Sequence, residues 1–146
     1  MKNIVLLCLL FLTPLVNTIA QKAIFHKSHE PEKQTASFSD VVEVNGLLFL
    51  SGQIGINHAN RTLVSGGIKA ETKQAIENIK EVLEQHNLTL DQVVKCTVIL
   101  RDINDFKAFD EIYKSYFTKK PARTTFAASG LAFDAKIEIE VIAAMH

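Results

Sequence analysis

The chain has no tryptophan, and only two cysteines, three prolines and six glycines in 146 residues. Two cysteines, Cys8 and Cys96, cannot build a disulfide framework. The few prolines and glycines follow no period, so there is no low-complexity tract, no repeat and no glycine-rich phosphate loop. An excess of one charge is missing too: 16 Lys and Arg balance 16 Asp and Glu. A neutral chain without a basic run has no electrostatic handle for nucleic acid or an anionic membrane. The five histidines are scattered; His26 and His29 have no third ligand near them in sequence, so no metal site is expected. No Ser/His/Asp set stands out.

Long apolar runs are confined to the first twenty residues, MKNIVLLCLLFLTPLVNTIA. Lys2 supplies a positive start, residues 4–16 an apolar stretch broken by Pro14, and Thr18-Ile19-Ala20 the small side chains before a cleavage point. This is the composition of a secretory signal peptide, too short and polar-ended to span a membrane comfortably. Residues 21–146 are then a single secreted domain, with no membrane attachment after cleavage. Those 126 residues carry 15 bases against 16 acids and one cysteine, Cys96, expected to be buried and inert. Two N-glycosylation sequons, at Asn60 and Asn87, fit an exported chain.

Periodicity predicts the elements. An edge strand near residues 23–25 leads into a polar loop. Residues 40–54 read as a hairpin closed by Asn45-Gly46, a pair suited to a type I′ turn. A helix over 68–87 puts Ala75, Ile76, Ile79, Val82 and Leu83 on one face. Residues 93–101 read as a strand with Val94, Cys96, Val98 and Leu100 on its apolar side. A second helix, capped by Asp102 or Asn104, buries Phe106, Phe109, Ile112, Tyr113 and Tyr116. Residues 121–140, PARTTFAASGLAFDAKIEIE, read as two strands joined by a turn. In the second, Ile137, Ile139 and Val141 alternate with Glu138 and Glu140. The result is an α+β domain, a mixed sheet covered on one face by two helices. The other face, with Phe49 or Val41, stays open to a partner.

The segments LSGQIG at 50–55, LVSGGI at 63–68, VVKCTVIL at 93–100, DINDF at 102–106, PAR at 121–123 and IEIE at 137–140 stand in one order and spacing. Together they resemble the Rid family of enamine and imine deaminases, also called YjgF/RidA, over nearly all the chain after its first thirty or so residues. The resemblance implies a chorismate-mutase-like fold and a homotrimeric barrel with active sites in clefts between subunits. It implies hydrolysis of imines and enamines that carry a carboxylate, such as 2-iminobutanoate and 2-aminoacrylate, to 2-oxo acids and ammonia, with no cofactor. By the same resemblance Arg123 holds the substrate carboxylate, Glu138 positions water and handles the proton, and Ser51 lines the site. Phe38 stands where many members have Tyr, Asp110 where Asn is common, Thr125 where Cys is frequent and Ala132 where Pro is common. These are substrate-contacting or rim positions, so the pocket is altered around its two central groups. The competing expectation is a secreted, non-catalytic ligand-binding or interaction protein that keeps the trimer.

Overall fold

A computed structural model describes residues 22–145. The expected signal sequence, its cleavage point before Gln21, and Cys8 lie outside the described residues. The chain order is β1 (Ile24–His26), β2 (Val41–Val44), β3 (Leu47–Ile54), β4 (Ile56–Asn57), β5 (Thr62–Leu63), α1 (Gly67–Glu84), β6 (Val93–Leu100), α2 (Phe106–Tyr116), β7 (Ala122–Ala127) and β8 (Ile137–Ala144). Six strands form one sheet in the order β1-β2-β3-β8-β6-β7, and β4 with β5 forms a small separate hairpin. All neighbours in the main sheet are antiparallel except β6 and β7. Those two are parallel, joined through α2, as a parallel pair requires a crossover.

The hairpin turn forms as its sequence dictates, with Asn45 at φ 52° and Gly46 at φ 73°. Both helices pack on one side of the sheet. Ala75, Ile76, Ile79, Val82 and Leu83 of α1 are buried against Leu48, Cys96, Val98, Leu100, Ile137 and Ile139. Full burial of each large aliphatic side chain contributes roughly 1.5–3 kcal/mol, so this layer is the main stabilising term.

Four expectations need correction. The strands over 121–140 exist but do not pair with each other, because β6 lies between them. β7 is placed beside β6 by the α2 crossover, and β8 inserts between β3 and β6. Val94 is exposed, since a register shift between Val93 and Lys95 turns it outward and buries Val93 in its place. Val41 is buried under the helices opposite Leu50, which leaves Phe49 on the open face. In α2 only Phe109 and Tyr113 are fully buried, while Phe106 at the helix start is exposed.

Candidate functional site

Strand β8 alternates as a pleat must. Ile137, Ile139 and Val141 are buried under the helices, and Glu138 and Glu140 point to the open face. Glu138 lies opposite Ile54 at the end of β3, just past an irregularity between Leu50 and Gln53. A Cβ on Gly52 would sit 2.0 Å from Glu138 Oε1. Glycine is therefore what lets the carboxylate fold down against the β3 backbone. Asn78 of α1 holds that backbone in place, its amide donating to the carbonyls of Ile54 and Ile56 at 3.0 and 2.8 Å.

Around Glu138 opens a cleft of about 350 Å³. Phe38, Gln53, Arg61 and Phe133 are among its walls, with Lys33 on the loop side. Burial, and then the neighbouring charge of Glu140, push the Glu138 carboxyl above its ordinary pKa. Phe133 and Asp134 both have positive φ, 57° and 63°. This is a sparsely populated conformation for an aromatic residue, and it hangs the Phe133 ring at the cleft mouth. Arg101 ion-pairs with Asp134, and Glu71 Oε2 accepts from the Lys136 amide at 2.7 Å, which fixes the two ends of that turn.

Arg123 is elsewhere. It is level with Cys96 in the parallel register, so its side chain goes to the helix-covered face, among the aromatics of α2. Its guanidinium carbon lies 4.6 Å from the ring centre of Tyr113, 5.2 Å from Phe109 and 5.6 Å from Phe106. Nη1 donates to Asp110 Oδ1 at 2.7 Å. Stacking of a planar cation on ring faces orients it. Thr125, two residues on, faces the same way, and its buried hydroxyl has no hydrogen-bond partner.

Ser51 is tied down, its hydroxyl donating to the Ser39 carbonyl at 2.7 Å. It borders a second groove with Phe25 and Phe38 rather than the Glu138 cleft. One chain thus brings Glu138 and Phe38 together, and Arg123, Asp110 and Thr125 together, with Ser51 on β3, on the Phe38 side. Sequence reasoning missed Gly52, Arg61 and Phe133 as cleft residues. The signal for Gly52 was present in the SGQ segment, but only the pairing of β3 with β8 shows what the glycine accommodates.

Of the two sequons, Asn60 is exposed in the β4–β5 turn, its Oδ1 accepting from the Thr62 amide and hydroxyl. Asn87 holds φ 59° just past α1, and Thr89 is engaged in capping the next turn. The expectation that no third ligand lies near His26 and His29 is corrected for His29. Folding brings His58 and Glu81 to it, residues far apart in sequence. Burial holds the Cys96 thiol at a pKa of about 11, so it is inert as expected.

Residues 27–145 match the family model described as endoribonuclease L-PSP. The chain is 47% identical over 110 residues to protein HMF1 of Saccharomyces cerevisiae, covering 75% of this chain and 84% of that protein. It is 43% identical over 107 residues to the 2-iminobutanoate/2-iminopropanoate deaminase of Homo sapiens, covering 73% and 78%. Its fold superposes on the crystal structure of the YjgF gene product from E. coli with a TM-score of 0.76 and 28% identity, over 84% of this chain and 99% of that one.

Proposed function

Because the chain belongs to the endoribonuclease L-PSP family, that of the YjgF and Rid proteins, we propose that it hydrolyses small imines and enamines bearing a carboxylate. The products are a 2-oxo acid and ammonia. The observation that carries this reading is Glu138: a carboxylate folded onto Gly52 in a cleft, with its pKa raised first by burial and then by Glu140. A base poised nearer neutrality is what proton handling at physiological pH asks for. The mammalian relatives named 2-iminobutanoate/2-iminopropanoate deaminase support the substrate class.

The chemistry needs few groups. A protonated imine is already electrophilic at carbon. Glu138 takes a proton from water as its oxygen adds to that carbon, giving a carbinolamine. The same carboxyl returns the proton to nitrogen. The freed carboxylate then takes the carbinol hydroxyl proton as the C–N bond breaks, so the carbonyl forms, ammonia leaves, and that last proton passes on to the departing ammonia as ammonium. Arg123 supplies the fork for the substrate carboxylate. Since Arg123 and Glu138 face opposite ways in one chain, the working cleft is assigned to the junction of two subunits of a homotrimer. Arg123 of one subunit then faces Glu138 of the next. The open sheet face carrying Phe49, Phe126 and Ile142 is the surface assigned to that assembly. The apolar residues 1–20 and the two sequons support the reading that the protein works in the secretory path.

A second reading rests on one contact. Asp110 already occupies Arg123, which fits a protein that binds a ligand weakly and does not turn it over. Cleavage of RNA is not favoured, because the chain is neutral overall and has no basic tract. The deciding experiment supplies 2-iminobutanoate, generated in situ, to the purified protein and follows its hydrolysis beyond the uncatalysed rate. Turnover establishes the deaminase. Trimeric protein that accelerates nothing, yet binds 2-oxobutanoate, establishes the second reading.

A further inference from the structure

Three segments that are distant in sequence meet at one corner of the molecule. His29 lies in the loop after β1, His58 between β4 and β5, and Glu81 near the end of α1. His29 Nε2 is 2.9 Å from Glu81 Oε1, and His58 Nδ1 is 3.0 Å from Glu81 Oε2. The three donor atoms lie within 4.8 Å of one another. Ligands bonded at about 2.1 Å to one tetrahedral zinc ion are roughly 3.4 Å apart, so the cluster needs only small side-chain adjustments to close on a metal.

A second observation lies behind His58. Its other nitrogen, Nε2, is 3.3 Å from Glu30 Oε1, a carboxylate only 4% exposed. Glu30 is itself held by Arg61 at 2.6 Å and Lys33 at 2.5 Å. Metal-binding histidines pass their free N–H to such a carboxylate, which sets the tautomer and the ring plane. In the tautomer that carries its proton on Nε2, His58 turns the Nδ1 lone pair toward the Glu81 carboxylate. Two acceptors then face each other at 3.0 Å, an arrangement that either a second proton on the ring or a shared cation reconciles.

We propose that His29 Nε2, His58 Nδ1 and the Glu81 carboxylate bind a divalent cation of the zinc class, with water as a further ligand. Two imidazoles and one carboxylate suit zinc, whereas magnesium and calcium prefer all-oxygen sets. Glu81 is exposed, which leaves a path from solvent. The ion would tie the loop after β1 and the β4–β5 hairpin to α1. Those two segments also carry Lys33, Phe38 and Arg61 to the rim of the Glu138 cleft, so occupancy would stiffen that rim.

The test uses the full chain without a polyhistidine tag, stripped with a chelator and titrated with zinc chloride by calorimetry. One zinc per chain is expected, with no magnesium binding at the same concentration. A hundredfold excess of zinc over its Kd should raise Tm by roughly 10 °C. His29→Gln and Glu81→Gln should each weaken zinc binding by at least about tenfold. Both are partly exposed positions, and an unchanged circular dichroism spectrum verifies the fold. His86→Gln, in the separate edge-to-face pair where the His26 and His86 ring centres are 4.7 Å apart, should leave binding intact. No zinc uptake by the wild type, or uptake equal in the Glu81→Gln and wild-type chains, overturns the assignment.

Discussion

Arg123 and Glu138 look out from opposite faces of one sheet, with β6 between their strands. A site that joins them draws one from each of two subunits. Arg123→Ala and Glu138→Gln trimers should each lose about 10²-fold or more in kcat/KM. Mixed trimers reassembled from the two should recover about a quarter of wild-type activity, the share of junctions with both residues intact under random mixing. Recovery no greater than the sum of the separate variants would place both groups in one chain's own site.

Asp110 is paired with Arg123 at 2.7 Å, so on the proposed reading it would compete with the substrate carboxylate for that guanidinium. Asp110→Asn frees the guanidinium and removes a like charge from beside the incoming carboxylate. The ion pair is partly exposed, so its loss is worth about 1 kcal/mol or less. KM for carboxylate-bearing imines should fall up to about fivefold, with kcat little changed. Arg123→Lys should move KM the opposite way, because a point donor replaces a fork. Steady-state kinetics on both variants check this pair, and an unchanged KM in Asp110→Asn refutes the competition.

Gly52 and Gly130 form a matched control. A Cβ at Gly52 would meet Glu138 Oε1 at 2.0 Å, whereas one at Gly130 meets nothing within 4 Å. Gly52→Ala should push the carboxylate aside and cost about 10²-fold in kcat, while Gly130→Ala stays close to wild type. Equal activity in the two would show that Glu138 has no fixed position to lose.

The pH dependence follows from the raised Glu138 pKa. Only the ionised form accepts a proton, so activity should fall on acidification at a pH above the ordinary carboxylate range. Burial is the first cause of the shift and Glu140 the second. Glu140→Gln should therefore move the acid limb of the kcat profile to lower pH. An acid carboxyl with a raised folded pKa contributes stability that is complete below its unfolded pKa and is lost as pH rises through the folded one. Glu138→Gln should accordingly raise Tm at pH 7 and leave it nearly unchanged near pH 4. A lower Tm at pH 7 would contradict the sign.

Much of the fold was legible because period-2 and period-3.6 patterns are local. Ile137, Ile139, Ile76 and Leu83 fall on the faces their spacing requires. Strand order was not legible, because alternation says which side a residue faces and nothing about which strand lies beside it. That is why 121–140 reads as a hairpin when β6 divides it. Val94 was misplaced because a register shift between Val93 and Lys95 reverses the face of the strand's start relative to Cys96, Val98 and Leu100, and no residue type announces it. The His29–His58–Glu81 cluster was invisible for a related reason: its spacing in sequence is long and irregular, and only packing of the loops on α1 unites it.

Asn60 should carry glycan in preference to Asn87. Asn60 is exposed in a turn with its own Thr62 hydroxyl donating to Oδ1 at 2.8 Å. Asn87 occupies a left-handed helix end, and Thr89 is engaged by Gln92 at 2.8 Å. Expression through a eukaryotic secretory path, then peptide mass spectrometry after glycosidase, checks occupancy and whether the chain starts at Gln21. Occupied Asn87 with bare Asn60 reverses the ranking.

Cys96, fully enclosed between α2 and the sheet, gives the chain an internal clock. An alkylating reagent cannot reach this thiol while β6 stays packed, and the unionised sulfur would react slowly if it did. Labelling of Cys96 therefore counts openings of the central strands themselves rather than fraying at the edges. The same shielding means that an oxidising medium attacks this cysteine only in molecules that have already come apart, so covalent dimers linked through it would be a record of past unfolding.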